Sequence, residues 1–280
     1  MRFRTEPRAR AEAAGRDDPL PQAGRFADVR DAADAGELGA PDTNDEVWKS
    51  EHMVAQWVAS ATERERGRAH HRRLMADLLP FAEDEAFTFV DLGAGTGAAS
   101  QVVLDRFPRA EGILVEYSPQ MAAEGRRALS GYAGRFVYVE FDLSGGGWPG
   151  GVPSVVDAVI SSLCVHHLPD PRKQELFAQI AAHLAPGGWY LNYDPVSTDD
   201  PVVDAAWRRA GDRQDPTAAA RRLHRTPEEQ MRYENHVRYM IPLETQLELL
   251  RRAGFEGIDV YWKQLDHVIY GGRRPVPPLG

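Results

Sequence analysis

The sequence predicts an open α/β fold, a mostly parallel sheet wrapped by helices, and three observations predict it. From Phe87 onward, short β-rich runs alternate with helix-forming runs, which implies parallel strands joined by crossover helices. The first of these runs, "FTFVDL", enters a loop with three glycines spaced two apart, Gly93, Gly95 and Gly97, and a helix-forming run follows. The last two, "GIDVYWKQ" and "DHVIYGGR", have no helix between them and should pair antiparallel at the end of the sheet.

The elements follow in order. Residues 1–42 are rich in Ala, Gly, Arg, Asp and Pro, carry only Phe3 and Phe26 as aromatics, and show no sustained period, so they read as a disordered or loosely attached tail. Residues 43–80 read as a helical lid. Its first helix, "NDEVWKSEHMVAQWVASA", places Val47, Trp48, Met53, Val54, Trp57, Val58 and Ala61 on one face, and its second, "RAHHRRLMADLLPF", stops near Pro80. The basic run Arg64 to Arg73, interleaved with acids, reads as a solvated helical face. From residue 81 to 280 the strand runs are "FTFVDL", "GILVEY", "RFVYVEFDL", "VDAVISSL", "GGWYLNYDP" and the final pair, with helices between them. The alternation breaks at residues 197–241, which read as helical pieces inserted over the sheet after the fifth strand.

Composition limits the partners. With 42% hydrophobic and 27% charged residues the chain reads as globular, and it lacks the run of about 18 apolar residues that a membrane-spanning helix needs. The N-terminal run has positive charge without an apolar segment after it, which does not read as a secretory signal. A single cysteine, Cys164, allows no internal disulfide and fits a cytoplasmic location. A net charge of −9 disfavours a nucleic-acid partner. A small-molecule partner is expected instead, and a homodimer is compatible with the sequence.

The glycine loop alone is ambiguous. Gly93 suits a tight turn, Gly95 lets the backbone approach a ligand, and the helix after Gly97 offers free N–H groups. Gly93, Gly95 and Ala98 also satisfy a dinucleotide pattern. Glu116 closes the next strand 19 positions after Gly97, where a carboxylate can accept both hydroxyls of a ribose; either kind of cofactor would use it.

Later segments break the tie. "VDLGAGTG", "VEYSPQM", "EFDL", "DAVISSLCVHHLPD" and "LAPGGWYL" follow one another in an order that resembles the class I S-adenosylmethionine-dependent methyltransferases of small-molecule type, from Leu74 to Arg273. The resemblance implies a Rossmann-like, seven-stranded sheet with an antiparallel last strand, N-terminal helices and a helical insert after the fifth strand. It implies S-adenosylmethionine as cofactor and S-adenosylhomocysteine as product. Asp91, Gly93, Ala94 and Gly95 would lie at the methionine portion, Glu116 at the ribose, and Tyr117 and Met121 near the base. Asp142 would hold the adenine amino group between Phe141 and Leu143, with Leu163 completing the cofactor set.

For the acceptor, the loop after the fourth strand offers His166 and His167, and the end of the fifth offers Tyr193 and Asp194. These four are the candidate catalytic groups. Trp48 and Trp57 of the lid, with Arg232, Tyr233, His236 and Tyr239 of the insert, are the candidate substrate contacts, since arginines there suit a carboxylate or phosphate. No metal site is expected: side chains adjacent in extended backbone point to opposite faces, and no cluster of Cys, His or carboxylates completes a site with His166 and His167. The expected activity is methyl transfer to a small molecule of specialised metabolism. The alternatives are tRNA methylation, a non-methylating use of the cofactor such as its cyclisation, and nicotinamide-dependent oxidation, for which the chain lacks a Tyr-x-x-x-Lys motif.

Overall fold

The structure is a computed structural model that describes residues 61–277. The tail expected over 1–42, the first lid helix, and Trp48 and Trp57 with it lie outside the described residues.

Helix α1, Ala61–Leu78, leads into the sheet. Then come β1 (Thr88–Leu92), α2 (Ala98–Arg106), β2 (Glu111–Glu116), α3 (Pro119–Ala128), β3 (Phe136–Glu140) and β4 (Val156–Ser162). A single 3-10 turn, Val165–His167, separates β4 from α4 (Asp170–His183) and β5 (Leu184–Pro195). The insert supplies α5 (Pro201–Gln214), α6 (Pro216–Leu223) and α7 (Pro227–Val237), and α8 (Leu243–Arg252), β6 (Glu256–Gln264) and β7 (His267–Arg273) finish the chain.

The seven strands lie in the order β3-β2-β1-β4-β5-β7-β6. β7 runs antiparallel to both β5 and β6, and the other pairs are parallel, which is the expected architecture. The strand order reverses between β1 and β4. The crevice beyond their carboxyl ends is therefore the topological switch point, where ligands bind in such sheets. Strands β1 and β2 are buried on both faces over nearly their whole length, as expected of interior parallel strands, whereas the edge strands β3 and β6 are partly exposed.

Two cores cover the two faces. On one, Val90, Leu92, Val115, Tyr190 and Tyr270 pack against Leu176, Phe177 and Ile180 of α4 and Leu249 and Leu250 of α8. On the other, Phe89, Leu191, Tyr193 and Ile269 pack against Met75 and Ala76 of α1 and Val103 and Leu104 of α2. The two-residue period of β5 thus sends Tyr193 to the α1 face and its neighbours Asn192 and Asp194 to the other side.

Three helix starts matter for the site. α2 begins at Gly97, whose φ of 78° is left-handed and whose Cβ, if present, would lie 2.6 Å from Leu129 Cδ1. α3 begins at Ser118, whose hydroxyl accepts from Met121 N, with Pro119 next. α7 begins with a capping box between Thr226 and Glu229. The two ends of the insert are tied to each other, where Ser197 N donates to Ile241 O at 3.0 Å and Ser197 Oγ donates to Met240 O at 3.1 Å.

The basic run of α1 departs from expectation. Arg72 is buried and Arg68 and His71 are half-buried, because they share the inward face with Met75, Ala76 and Leu79 at helical spacing. Only the far side of this helix is solvated.

Candidate active site

The glycine loop is held by its neighbours before any ligand is considered. Gly93 N and Ala94 N both donate to Val115 O, at 2.9 and 3.0 Å, which docks the loop on β2. Glu116 is buried and clamps the loop further: its Oε2 accepts from Gly95 N at 2.8 Å and its Oε1 from Ser118 N at 2.9 Å. Burial pushes this carboxyl up from its ordinary value, and those two N–H groups pull it back. Tyr138 lies beneath, donating to Gly95 O at 3.1 Å. Gly93 and Gly95 divide the labour differently from expectation. A Cβ on Gly93 would sit 2.1 Å from Cys164 Sγ, so its smallness admits the loop after β4, whereas at Gly95 only Met121 Cε comes near, at 3.4 Å.

Asp91 ends β1 beneath the loop and is 1% exposed. Its Oδ2 accepts from Ser100 Oγ at 2.6 Å, while Oδ1 is buried with no hydrogen-bond partner. Burial pushes its pKa up to about 6, against the Ser100 hydroxyl and the Arg72 guanidinium. Arg72 itself donates to Ser162 Oγ at the end of β4. A buried, acceptor-only oxygen at the switch point suits an ammonium group. Glu116 retains lone pairs beyond its two backbone bonds, which suits the hydroxyls of a ribose. These residues fit S-adenosylmethionine.

The remaining cofactor candidates are distributed around this centre. Met121 is buried beside Gly95, Tyr117 and Phe141 are half-buried, and Leu143 is in the core. Asp142 is exposed, and its Oδ1 accepts from both Ser144 N (2.8 Å) and Ser144 Oγ (2.7 Å), a side-chain-capped turn. Leu163 takes a left-handed φ of 60°, rare for a leucine, and its N–H donates to Tyr193 O at 2.8 Å.

On the other side of the crevice, Asp194 organises the loop after β4. His166 N donates to its Oδ2 at 2.8 Å and His166 Nδ1 donates to its Oδ1 at 2.6 Å. Because a carboxylate only accepts, this fixes the proton on Nδ1 and leaves the Nε2 lone pair facing His236 Nδ1, 3.1 Å away. Asp194 and His166 are almost fully buried. Burial pushes Asp194 up to about 6, opposed by His167, the His166 N–H and Asn192, and holds His166, His167 and His236 below the ordinary imidazole value. Asn192 Nδ2 donates to Asp194 Oδ2 at 3.4 Å and to Tyr270 Oη at 2.9 Å.

The expectation that His166 and His167 face apart is corrected here. They lie in a 3-10 turn, not an extended strand, and their rings are 3.9 Å apart. His236 of α7 joins them, so the ligand atoms of all three lie within 4.8 Å of one another. Sequence proximity could not reveal this third member. Tyr193, another of the catalytic candidates, lies elsewhere. It projects from the opposite face of β5, stacks on His71 at 5.0 Å, and stands apart from the Asp194 cluster. Among the insert candidates whose side chains are described, only His236 enters the cluster. Tyr233 is covered by the Arg225 guanidinium at 3.7 Å, Tyr239 contributes its backbone carbonyl to Lys173 Nζ, and the side chain of Arg232 lies outside the described residues.

Several contributors escaped the sequence reading. Lys173, with a fully buried side chain, bonds Asp170 Oδ1 at 3.1 Å and Tyr239 O, joining α4 to the insert. Arg68 and Arg72 reach the crevice from α1. Their spacing with Met75 and Leu79 was the available signal.

Residues 90–190, spanning Asp91, the glycine loop, Glu116, Asp142 and both histidines of the turn, match the model of a methyltransferase domain. Curated relatives are named trans-aconitate 2-methyltransferase. That of Azoarcus sp. (strain BH72) is 30% identical over 118 residues, 42% of this chain and 43% of that protein. Over residues 90–190 the chain is thus similar to a methyltransferase domain. A second relative of that name, from Methylobacterium nodulans, is 31% identical over 173 residues, 60% of this chain and 58% of that protein. In these two matches the chain spans about half the length of the curated relatives. Solved methyltransferase folds are similar too. Human N-acetylserotonin methyltransferase in complex with SAM superposes with a TM-score of 0.58 at 16% identity, over 90% of this chain and 66% of that one. PigF with SAH gives 0.59 at 16% identity, over 89% of this chain and 69% of that one.

Proposed function

We propose that the protein transfers the methyl group of S-adenosylmethionine to a small, anionic acceptor of specialised metabolism, bound between the Asp194 cluster and the insert. The observation that carries the reading is the unpartnered Asp91 Oδ1, buried at the switch point beside the Glu116-clamped glycine loop. Asp91 would hold the cofactor's ammonium, Glu116 its ribose, Gly93, Ala94 and Gly95 its methionine portion, and Tyr117 and Met121 its base. Asp142, Phe141, Leu143 and Leu163 would border the adenine. The bound cofactor supplies an electrophilic sulfonium methyl. The protein's part is to align an acceptor atom in line with that methyl and to exclude water, an arrangement that can contribute about 7–11 kcal/mol.

An anionic acceptor is favoured by the name that the relatives carry, trans-aconitate 2-methyltransferase. His166, His167 and Asp194 stand on the acceptor side, whereas Tyr193 shapes the wall shared with His71 and Trp262.

The test is a calorimetric titration with S-adenosylmethionine, S-adenosylhomocysteine and NADPH, beside Asp91→Asn and Glu116→Gln. Binding of the first two, weakened about 10- to 100-fold in each variant through loss of a charged partner, is expected. Binding of NADPH alone would overturn the reading. Small carboxylates are then screened for a methyl mass shift.

A further inference from the structure

The three histidines brought together by the turn after β4 and by α7 have a geometry that methyl transfer by itself does not require. We propose that His166, His167 and His236 form a site for one divalent transition metal ion, zinc, cobalt(II) or nickel(II), with open coordination positions toward the acceptor.

Four observations carry it. First, His166 Nε2 and His236 Nδ1 are 3.1 Å apart. Two nitrogens bound to one tetrahedral ion at about 2.0–2.1 Å stand about 3.3 Å apart, so this pair is already spaced as co-ligands. Second, the ligand atoms of all three rings fall within 4.8 Å, and His167 Nδ1 is buried without a hydrogen-bond partner, so turning that ring inward costs it no bond at that atom. Third, Asp194 Oδ1 accepts from His166 Nδ1, the carboxylate–imidazole arrangement that orients metal-binding histidines and raises their basicity. Fourth, the donor set is all imidazole. That suits zinc, cobalt or nickel rather than magnesium or calcium, which take oxygen ligands.

The charges nearby are accommodated. The Lys173 ammonium is held by Asp170 and the Tyr239 carbonyl, and Asp194 supplies a compensating anion. When the ion binds, His236 carries its hydrogen on Nε2 instead of Nδ1. Three protein ligands leave a position for an oxygen of the acceptor, and the ion would act there as a Lewis acid and template. Only that last placement rests on the proposed methyl transfer; the site itself does not.

The protein, stripped with a chelator, is titrated with Co2+ and followed by visible ligand-field absorption, then competed with Zn2+. One saturable ion per chain is expected, displaced by zinc. His167→Ala and His236→Ala should each weaken it at least tenfold, with far-ultraviolet circular dichroism and S-adenosylmethionine binding like the parent's. His236 belongs to an insert helix outside the sheet, so its variant tests the ligand without risking the core. Absence of saturable binding, or equal affinity in both variants, would overturn the proposal. Metal binding with no cofactor binding would remove the methyltransferase reading and leave the site standing, and cofactor binding with no metal site would do the reverse.

Discussion

Asp91 is a carboxyl whose charge the fold resists. Its folded pKa of about 6 lies above the ordinary 3.8. Between those values the folded chain keeps a proton that the unfolded chain has released, so the stabilisation is complete at the acid end and is lost as pH rises through about 6. An ammonium ligand reverses the preference, because it binds the ionised form. Cofactor affinity should therefore climb from pH 5 to 7, by up to about tenfold per unit below the pKa, and flatten above it. Asp91→Asn should bind weakly with no such slope while melting at least as high as the parent near neutral pH. A parental slope retained in the variant would assign the titration elsewhere. Asp91 and Glu116 were legible as acids at strand ends following a strand and a glycine loop. That Glu116 is occupied by Gly95 N and Ser118 N was not, because those partners are set by how β2 bends into α3. Asp142 was legible as a position, yet its Oδ1 serves a turn through Ser144.

Elements were easier to read than what they present. Helix α1 was visible in the sequence, but its run of charges disguised an inward face on which Arg68, His71 and Arg72 continue the line of Met75 and Leu79. The strand β4 was visible, and the tight turn after it was not, which is why His166 and His167 were expected to diverge. Helix α7 depends on its start. Thr226 Oγ1 accepts from Glu229 N at 3.2 Å and Glu229 Oε2 accepts from Thr226 N at 2.8 Å. Thr226→Ala should cost about 1 kcal/mol of local stability, seen as faster amide exchange across Pro227–Val237 with little change in the exchange of β1 or β4. Unaltered exchange in α7 would show that packing against the Val165–His167 turn, and not the cap, holds His236 in place.

At the scale of the molecule, the parallel sheet was legible because its period and its glycine loop agree, and sheet connectivity is set by a few handedness rules. The insert was legible only as a departure from that pattern. Its two ends meet at the Ser197–Pro242 bridge, so the segment between them can be replaced without opening the sheet. Exchanging residues 199–239 for a turn of about four residues should leave cofactor binding intact and abolish acceptor methylation. Stability should fall by about 2 kcal/mol, since Lys173 loses the Tyr239 carbonyl. Loss of cofactor binding in that variant would mean that the insert also shapes the cofactor's half of the crevice.

The contact between Cys164 and Gly93 gives the chain a gauge of its own opening. Packing around the sulfur and the surrounding carboxylates of Asp194, Glu116, Asp91 and Asp142 hold the thiol well above its usual pKa, so it stays protonated and slow to react. Cys164 is half-buried, so its alkylation should be slow and should speed up when the loop after β4 lifts from the glycine turn. Because it is the sole cysteine, the labelling rate of the unmodified protein reports that separation directly, and a ligand that draws the two loops together should slow it.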